Sequence, residues 1–291
     1  MLSSVNPFLP GIGGAGMSTT AEAVIIGGGV MGCSLLYNLA QLGMTHTLLL
    51  EKDVLASGST SRSQAILRMH YSNEVTTRLA WESLNVFKDF DTIVGSASGY
   101  TRTGYILIVD DSDRRAMEEN VAMHKAVGVN IDIISAEAVR EIAPMLAVAD
   151  HEAFAYEPES GYLVGVGEKE YVGPDDYNQG VDMPLVEATC ANLAKRIPGM
   201  RDALFRGGWS GLFTVTPDWH PILDRIKGID GLYVAVGFSG HGFKESPMIG
   251  LTMAELIVHG QATTIDITRL DAKRFTQGRE LKSRYGIAVL A

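Results

Sequence analysis

The pattern of apolar residues near the start of the chain predicts a strand, a helix and a second strand in close succession. Residues 24–26 form an apolar run of strand character that ends at Gly27. A helical period then continues through Leu42, and a second apolar strand follows at 47–50. Apolar runs that alternate with a helical repeat are typical of a βαβ unit with parallel strands.

The rest of the chain alternates between helical and strand patterns and contains no internal repeat. The periodicity predicts helices at 74–90, 113–127, 136–142, 183–197 and 247–258. It predicts strands at 104–109, 163–166 and 231–236, and a strand that runs into a turn at 209–218. Residues 1–16 are rich in Gly, Pro and Ser and carry no charge. We expect them to form a disordered extension before a start at Met17, with an ordered arm as the alternative.

The turn between the first strand and the first helix has glycines at the spacing G-x-G-x-x-G. Gly27 permits a tight turn, Gly29 lets the backbone approach a pyrophosphate, and Gly32 lets helix and strand pack closely. The helix N-terminus presents N–H groups and a positive dipole end to phosphates. Glu51 ends the second strand, where an acid can bind a ribose hydroxyl. This combination predicts an adenine dinucleotide; the alternative is a glycine-rich turn without a ligand.

A second arrangement of strand, glycine-rich loop and helix lies near the end of the chain. The loop at 237–244 reads Gly-Phe-Ser-Gly-His-Gly-Phe-Lys, and Lys244 stands at the mouth of the following helix. Its glycines would let the backbone lie against a flat ring. The small-residue loop at 56–63 either offers hydroxyl and N–H groups to phosphates or is a flexible connection. Arg68 then places a cation in an apolar setting.

Composition and charge exclude several classes of function. A chain of 291 residues with 46% hydrophobic residues can bury a large core in one or two domains. The net charge of −10 argues against nucleic acid or an anionic membrane as a partner, and no apolar run is long enough to span a bilayer. Cys33 and Cys190 have no metal-binding or redox spacing. We therefore expect no metal site, no disulfide framework and a reducing, cytoplasmic location.

Together, the two glycine motifs resemble those of the D-amino-acid oxidase superfamily. Residues 24–32 and Glu51 pair with the loop at 237–244, and Thr-Val-Thr-Pro-Asp at 214–218 is family-like in order and spacing. Within the superfamily the chain is most similar to the sarcosine oxidase and sarcosine oxidase β-subunit branch. The resemblance spans 17–260. It implies an α/β fold (α+β overall), with an FAD-binding Rossmann-like βαβ domain and a reduced mixed-sheet substrate domain.

The resemblance also implies a division into domains. An FAD-binding domain that is discontinuous in sequence would take 17–75 and 205–262. A truncated substrate domain would take 76–204, and 263–291 would form a C-terminal tail.

The resemblance implies FAD as cofactor and oxidation of the C–N bond of a small secondary or tertiary amino acid, similar to sarcosine, dimethylglycine, glycine or proline. In the family a hydride equivalent passes to flavin N5 and the imine then hydrolyses. Arg68 and Lys244 match the cations that hold the substrate carboxylate, and His241 lies on the loop alongside the flavin. Gly211 stands near where some relatives carry a cysteine bonded to the flavin, so noncovalent FAD is expected. The cofactor-binding positions implied are Gly27, Gly29, Gly32, Glu51, Lys52, Ser59, Thr60, Gly237, Gly240, Gly242 and Phe243.

The chemistry of the two cations agrees with this role. A planar guanidinium grips a carboxylate through two hydrogen bonds. Each charge-assisted hydrogen bond contributes roughly 1.5–3 kcal/mol, so two could hold and orient a small amino acid. The alternatives are a structural salt bridge for Arg68 and a solvated lysine at the helix start for Lys244. His70, Tyr71 and His220 are expected to be packing or surface residues more often than reacting ones.

The chain is shorter than the family pattern, and the shortage is internal. The family-like turn at 156–162 runs directly into 163–169, a stretch that resembles a strand found much later in relatives. We infer a deletion near Gly161 and Tyr162, which would remove the second half of the dinucleotide-binding sheet and much of the substrate-pocket wall.

Two alternatives to an active FAD-dependent oxidoreductase stay open. The chain could be a noncatalytic FAD-binding remnant, or a subunit of a larger amine dehydrogenase with an electron-accepting partner or a sister subunit. A nicotinamide-dependent dehydrogenase would explain the first glycine motif and Glu51, but it leaves the loop at 237–244 without a purpose.

Overall fold

The computed structural model describes residues 20–161 and 180–285. The expected extension at 1–16, the start at Met17 and the predicted strand at 163–166 lie outside the described residues. The described part is a mixed α/β structure, which confirms the predicted fold class. Its helices are α1 Val30–Gln41, α2 Glu74–Lys88, α3 Phe90–Val94, α4 Arg114–Val127, α5 Ala136–Ile142, α6 Met183–Arg196 and α7 Gly242–His259. Its strands are β1 Ala23–Ile26, β2 Thr47–Leu50, β3 Tyr105–Asp110, β4 Asp132–Ile134, β5 Glu152–Glu157, β6 Ile222–Arg225 and β7 Tyr233–Val236.

The predicted βαβ unit is confirmed. Strands β1 and β2 pair in parallel, with Ala23 opposite Thr47, and α1 connects them. A Cβ built on Gly32 would lie 1.9 Å from the carbonyl oxygen of Gly27. The helix can therefore approach the turn this closely because position 32 carries no side chain.

Helix α7 packs against α1 although the two are far apart in sequence. The hydroxyl of Ser34 donates to the carbonyl of Ser246 at 2.7 Å, across 212 residues. A Cβ on Gly250 would lie 2.1 Å from Ser34 Oγ, so the two backbones approach closely. Ile25, Leu39 and Ala254 form a buried apolar cluster at this contact. The packing brings the helices that follow the two glycine motifs side by side.

One face of the β1–β2 sheet is open to solvent in the part of the chain that the structure describes. Val24 is 53% exposed and Ile26 is 88% exposed, while Leu48 and Leu50 are about half exposed at 48% and 47%. Parallel sheets normally have both faces covered. Among the described residues, this parallel sheet is therefore covered on one face only, which is unusual.

A second sheet consists of three antiparallel strands in the order β3, β5, β4. Helices α2 and α4 contribute Leu84 and Met117 to the core that covers it, together with Leu107 and Ala155 from the strands. The third sheet is the antiparallel pair β6 and β7, in which Ile222 lies opposite Val236.

Most of the predicted elements are confirmed, with one clear error. The predicted helix at 74–90 ends as α2 at Lys88, and α3 follows it; the last predicted helix already begins at Gly242. The predicted strand at 209–218 is wrong because this segment has no ladder partner among the described residues and leaves Trp209 64% exposed. None of the helices in the described part is both long and apolar enough to cross a membrane.

The segment at 263–285, which the sequence places in a C-terminal tail, contributes to the core. Ile265, Ile267, Leu270 and Leu281 are buried and pack with Met253 of α7 and Leu223 of β6.

Candidate functional site

The carboxylate of Glu51 is fixed against the first glycine turn. Its Oε2 accepts a hydrogen bond from the N–H of Gly28 at 2.7 Å, and its Oε1 accepts one from Asp53 at 3.1 Å. These backbone hydrogen bonds, that of Gly28 above all, lower the pKa of Glu51. The ionised carboxylate keeps further lone pairs with which to accept hydroxyl groups. Lys52, beside it, is exposed.

The loop at 56–63 contacts the start of α1. Thr60 Oγ1 accepts a hydrogen bond from the N–H of Val30 at 3.0 Å, and the hydroxyl of Ser59 donates to the carbonyl of Leu212 at 2.9 Å. The first turn of α1 contains no acidic residue, so its positive end is not neutralised locally. Thr60 thus lies at the helix end that would face a phosphate, and contact of Ser59 and Thr60 with a phosphate stays a prediction.

The second glycine motif lies against the first. A Cβ on Gly242 would lie 2.9 Å from Cε of Met31, in the first turn of α1. Gly237 has φ +72°, and a Cβ there would also meet Thr216 at 2.3 Å. Gly240 precedes α7 in an exposed turn, whereas the ring of Phe243 stacks on Phe87 at a centroid distance of 6.2 Å. The two nucleotide-type turns therefore share one region of the molecule.

The three predicted catalytic residues surround Tyr71. The guanidinium carbon of Arg68 lies 4.9 Å from the centroid of the Tyr71 ring, and Nζ of Lys244 lies 5.9 Å from it. The ring of His241 is edge-on to the same ring at 5.0 Å. Tyr71 itself is wholly buried. Its role as the centre of the cluster is not apparent from the sequence, which indicates only a packing aromatic.

The surroundings of Arg68 and Lys244 match neither a structural salt bridge for Arg68 nor a solvated lysine for Lys244. Arg68 donates to the carbonyl of His70 but forms no ion pair with a described residue. Lys244 is only 7% exposed and forms no hydrogen bond to the part of the chain that the structure describes. Two cations without an anionic hydrogen-bond partner at the site are suited to an anionic ligand group.

Glu245, which the sequence analysis missed, lies beside Lys244 and is wholly buried. Burial above all, together with the nearby charge of Arg68, lowers the pKa of Lys244 to about 7, against the opposing effect of Glu245. Burial likewise raises the pKa of Glu245 to about 8, against the opposing effect of Lys244. The two groups share their protons near neutral pH. The available signal was a carboxylate directly after Lys244, between the glycine-rich loop and the predicted helix.

These residues fit FAD, as judged from the site itself. The close approach at Gly32, the positive end of α1 without an acidic residue in its first turn, and the fixed Glu51 carboxylate suit a pyrophosphate and a ribose. A cavity beside Phe243, lined by Ala65, Leu67, Phe87 and Tyr100, adjoins the chain segments that carry Arg68 and Lys244.

Comparison with solved structures identifies the fold. The chain is similar to the L-proline dehydrogenase from P. horikoshii with a TM-score of 0.79 and 21% identity, covering 89% of this chain and 98% of that one. It is similar to a glycine oxidase from Geobacillus kaustophilus with a TM-score of 0.68 and 16% identity, covering 87% and 98%.

Comparison with curated proteins gives relatives that are much longer. The chain is 34% identical over 144 residues to the mitochondrial pyruvate dehydrogenase phosphatase regulatory subunit of Mus musculus, covering 49% of this chain and 16% of that protein. It is 30% identical over 155 residues to the mitochondrial sarcosine dehydrogenase of Homo sapiens, covering 52% and 17%. The matched stretches thus span about one sixth of the length of these relatives.

The model of the DAO family, described as FAD dependent oxidoreductase, matches residues 22–163 and 147–256. These stretches contain both glycine motifs, Glu51 and the residues around Tyr71. The chain belongs to the DAO family of FAD-dependent oxidoreductases.

Proposed function

We propose that this chain oxidises the C–N bond of a small secondary or tertiary amino acid, using noncovalently bound FAD. Sarcosine, dimethylglycine, glycine and proline are the substrate types to consider. The observation that carries the proposal is the position of Arg68 and Lys244, which lie on opposite sequence halves and meet at Tyr71. The absence of a side chain at Gly211, which packs on Arg62, supports the noncovalent mode.

The residues of the chain would bind and orient the substrate. When bound, FAD supplies the two-electron acceptor for oxidation of the carbon next to nitrogen. Arg68 and Lys244 would hold the substrate carboxylate, which fixes the direction of the adjacent C–H bond. Tyr71 and Phe243 would supply apolar surface on which the small substrate excludes water. Glu245 would exchange a proton with Lys244 as the charge of the site changes.

An absorption spectrum of the purified protein tests this function. We expect flavin absorbance that bleaches anaerobically on addition of at least one of the four amino acids. Trimethylamine, the carboxylate-free counterpart of dimethylglycine, is the matched control and should leave the flavin oxidised. A colourless protein that takes up no added FAD would contradict the proposal.

A second candidate, a noncatalytic FAD-binding subunit, is favoured by one specific observation. The open face of the β1–β2 sheet leaves Ile26 88% exposed. The two overlapping family matches meet at 147–163, around the deletion predicted near Gly161. This candidate predicts bound FAD that none of the four amino acids bleaches, so the same experiment separates it from the first.

A further inference from the structure

Two histidines and a glutamate converge in the core behind Arg68. His70 precedes α2, His124 belongs to α4, and Glu157 ends β5. One potential ligand atom from each lies within 4.8 Å of the other two. The imidazole rings of His70 and His124 are nearly perpendicular, with centroids 4.6 Å apart. All three side chains are at most 1% exposed.

The other polar atoms of these residues are held by hydrogen bonds. His124 Nε2 lies 2.7 Å from the carbonyl oxygen of Tyr71, and His70 Nε2 lies 2.9 Å from the hydroxyl of Tyr285. Glu157 Oε2 accepts from the N–H of Met69 at 3.0 Å and from the hydroxyl of Ser160 at 2.6 Å. Such contacts orient ligating side chains in metal sites, where histidine typically donates its second N–H to a carbonyl or another polar group.

The three remaining atoms have no hydrogen-bond partner: His70 Nδ1, His124 Nδ1 and Glu157 Oε1. The Tyr71 carbonyl oxygen, at 2.7 Å, and the Tyr71 N–H, at 3.3 Å, both face His124 Nε2. The shorter contact is with a group that can only accept, so it favours the tautomer with the hydrogen on Nε2 and a bare lone pair on Nδ1. His70 Nδ1 is 3.7 Å from Glu157 Oε1, which is beyond hydrogen-bond reach. Even if His70 Nδ1 carried a proton and faced Glu157, His124 Nδ1 would still have no hydrogen-bond partner. Burying a polar atom without a partner is unfavourable.

We propose that His70, His124 and Glu157 bind a divalent transition-metal ion of the Zn²⁺ class. Imidazole nitrogens and a carboxylate oxygen are ligands that suit this class. The negative charge of Glu157 would partly neutralise the bound metal ion. The positive charge of Arg68, which lies nearby, would repel it. The ion would tie α4 and β5 to the segment that carries Arg68 and Tyr71, and so hold the rear of the candidate substrate site. Three protein ligands would leave one position of a tetrahedral ion for a water molecule.

The ligands come from three distant parts of the sequence, which explains why cysteine and histidine spacing gave no indication of a metal. Metal binding by these three residues would not require the oxidation chemistry of the neighbouring site.

Metal binding to the full-length, FAD-loaded protein tests the proposal. After dialysis against a chelator and then Zn²⁺, metal analysis should find a single ion per chain. Replacing Zn²⁺ with Co²⁺ should give ligand-field bands at longer wavelengths than flavin absorption. His124→Gln should abolish both signals, whereas His220→Gln, a buried histidine outside the cluster, should retain them.

A milder variant protects the test against misfolding. Tyr285→Phe removes the hydroxyl that orients His70 and should weaken Zn²⁺ binding roughly 10- to 100-fold while the chain stays folded, as circular dichroism would verify. The proposal is wrong if the wild-type protein binds neither ion, or if folded His124→Gln binds them as well as the wild type does.

Discussion

Arg274 and Asp218 form a bidentate ion pair inside the protein. The Nε and Nη2 groups of Arg274 donate to Oδ2 and Oδ1 of Asp218 at 2.7 and 3.0 Å, and both side chains are at most 2% exposed. Asp218 also accepts from the N–H of Leu281 at 3.1 Å. The pair therefore anchors the segment at 263–285 to the family-like turn at 214–218.

Loss of this pair should strongly destabilise the fold. Arg274→Gln leaves the Asp218 carboxylate buried without its partner, which should lower the free energy of unfolding by about 3–5 kcal/mol. Arg279→Gln is the matched control, because its pair with Asp271 is partly exposed and is worth at most about 1 kcal/mol. Urea unfolding measures both. Equal losses in the two variants would contradict a special role for the buried pair.

The first glycine turn should be intolerant of a methyl group at position 32. A Cβ there would lie 1.9 Å from Gly27 O, so Gly32→Ala must displace either α1 or the turn. We expect loss of most bound FAD, read as flavin absorbance per chain. Gly199→Ala is the control, because a Cβ at that position meets no atom within 4 Å. Full FAD content in Gly32→Ala would remove this turn from the cofactor site.

Lys244 should contribute to substrate affinity more than to cofactor affinity. Lys244→Met removes one charge-assisted bond to the carboxylate and should raise the KM roughly 10- to 150-fold, the equivalent of about 1.5–3 kcal/mol. FAD content should stay near that of the wild type. Lys195→Met, on the exposed surface of α6, should change neither quantity. An unchanged KM in Lys244→Met would remove this residue from the site, and FAD loss in Arg68→Ala would reassign Arg68 to the cofactor.

The affinity for a carboxylate substrate should fall as the pH rises through the range 7 to 8. Below about 7 Lys244 is protonated and Glu245 is neutral, whereas above about 8 Lys244 is neutral and Glu245 is charged. The KM should accordingly increase between pH 6.5 and 8.5. Glu245→Gln removes the carboxylate that raises the pKa of Lys244, so the increase should begin at lower pH. A KM independent of pH in both proteins would contradict the proton sharing.

His220 should make the protein sensitive to acid. Burial lowers its pKa to about 4, with Arg274 acting in the same direction and Asp218 against it. Because the folded pKa lies below the unfolded value of 6.5, stability is full above pH 6.5 and is lost as the pH falls towards 4, by up to about 3 kcal/mol. His220→Gln should lose less stability between pH 7 and 5 in urea titrations. Parallel pH profiles would show that His220 does not carry this effect.

The sequence predicted those parts of the site that depend on local pattern. Gly27, Gly32 and Glu51 lie in one βαβ unit, where the order of elements fixes their arrangement, and the family resemblance added Arg68 and Lys244. Tyr71 and Glu245 could not be placed because their importance comes from contacts across the fold. The pattern at 209–218 predicted a strand, but strands need a partner, and pairing is not encoded in one segment.

Arg274 illustrates the same difficulty at the level of stability. It stands between Lys273 and Phe275 in a segment that the sequence places in a tail, yet its side chain is fully buried. The partner, Asp218, lies 56 residues earlier, and no periodicity connects the two positions. The burial of this segment follows from the geometry of the whole fold.

The packing of α1 on α7 has a consequence for biosynthesis. At translation rates of about 5–20 residues per second, roughly 10–40 s separate the emergence of Gln41 from that of Gly242. During this interval the apolar face of α1 has been synthesised, but α7, against which it packs, has not. Nascent chains halted between the emergence of α1 and that of α7 should therefore be more prone to aggregate than chains that already contain α7.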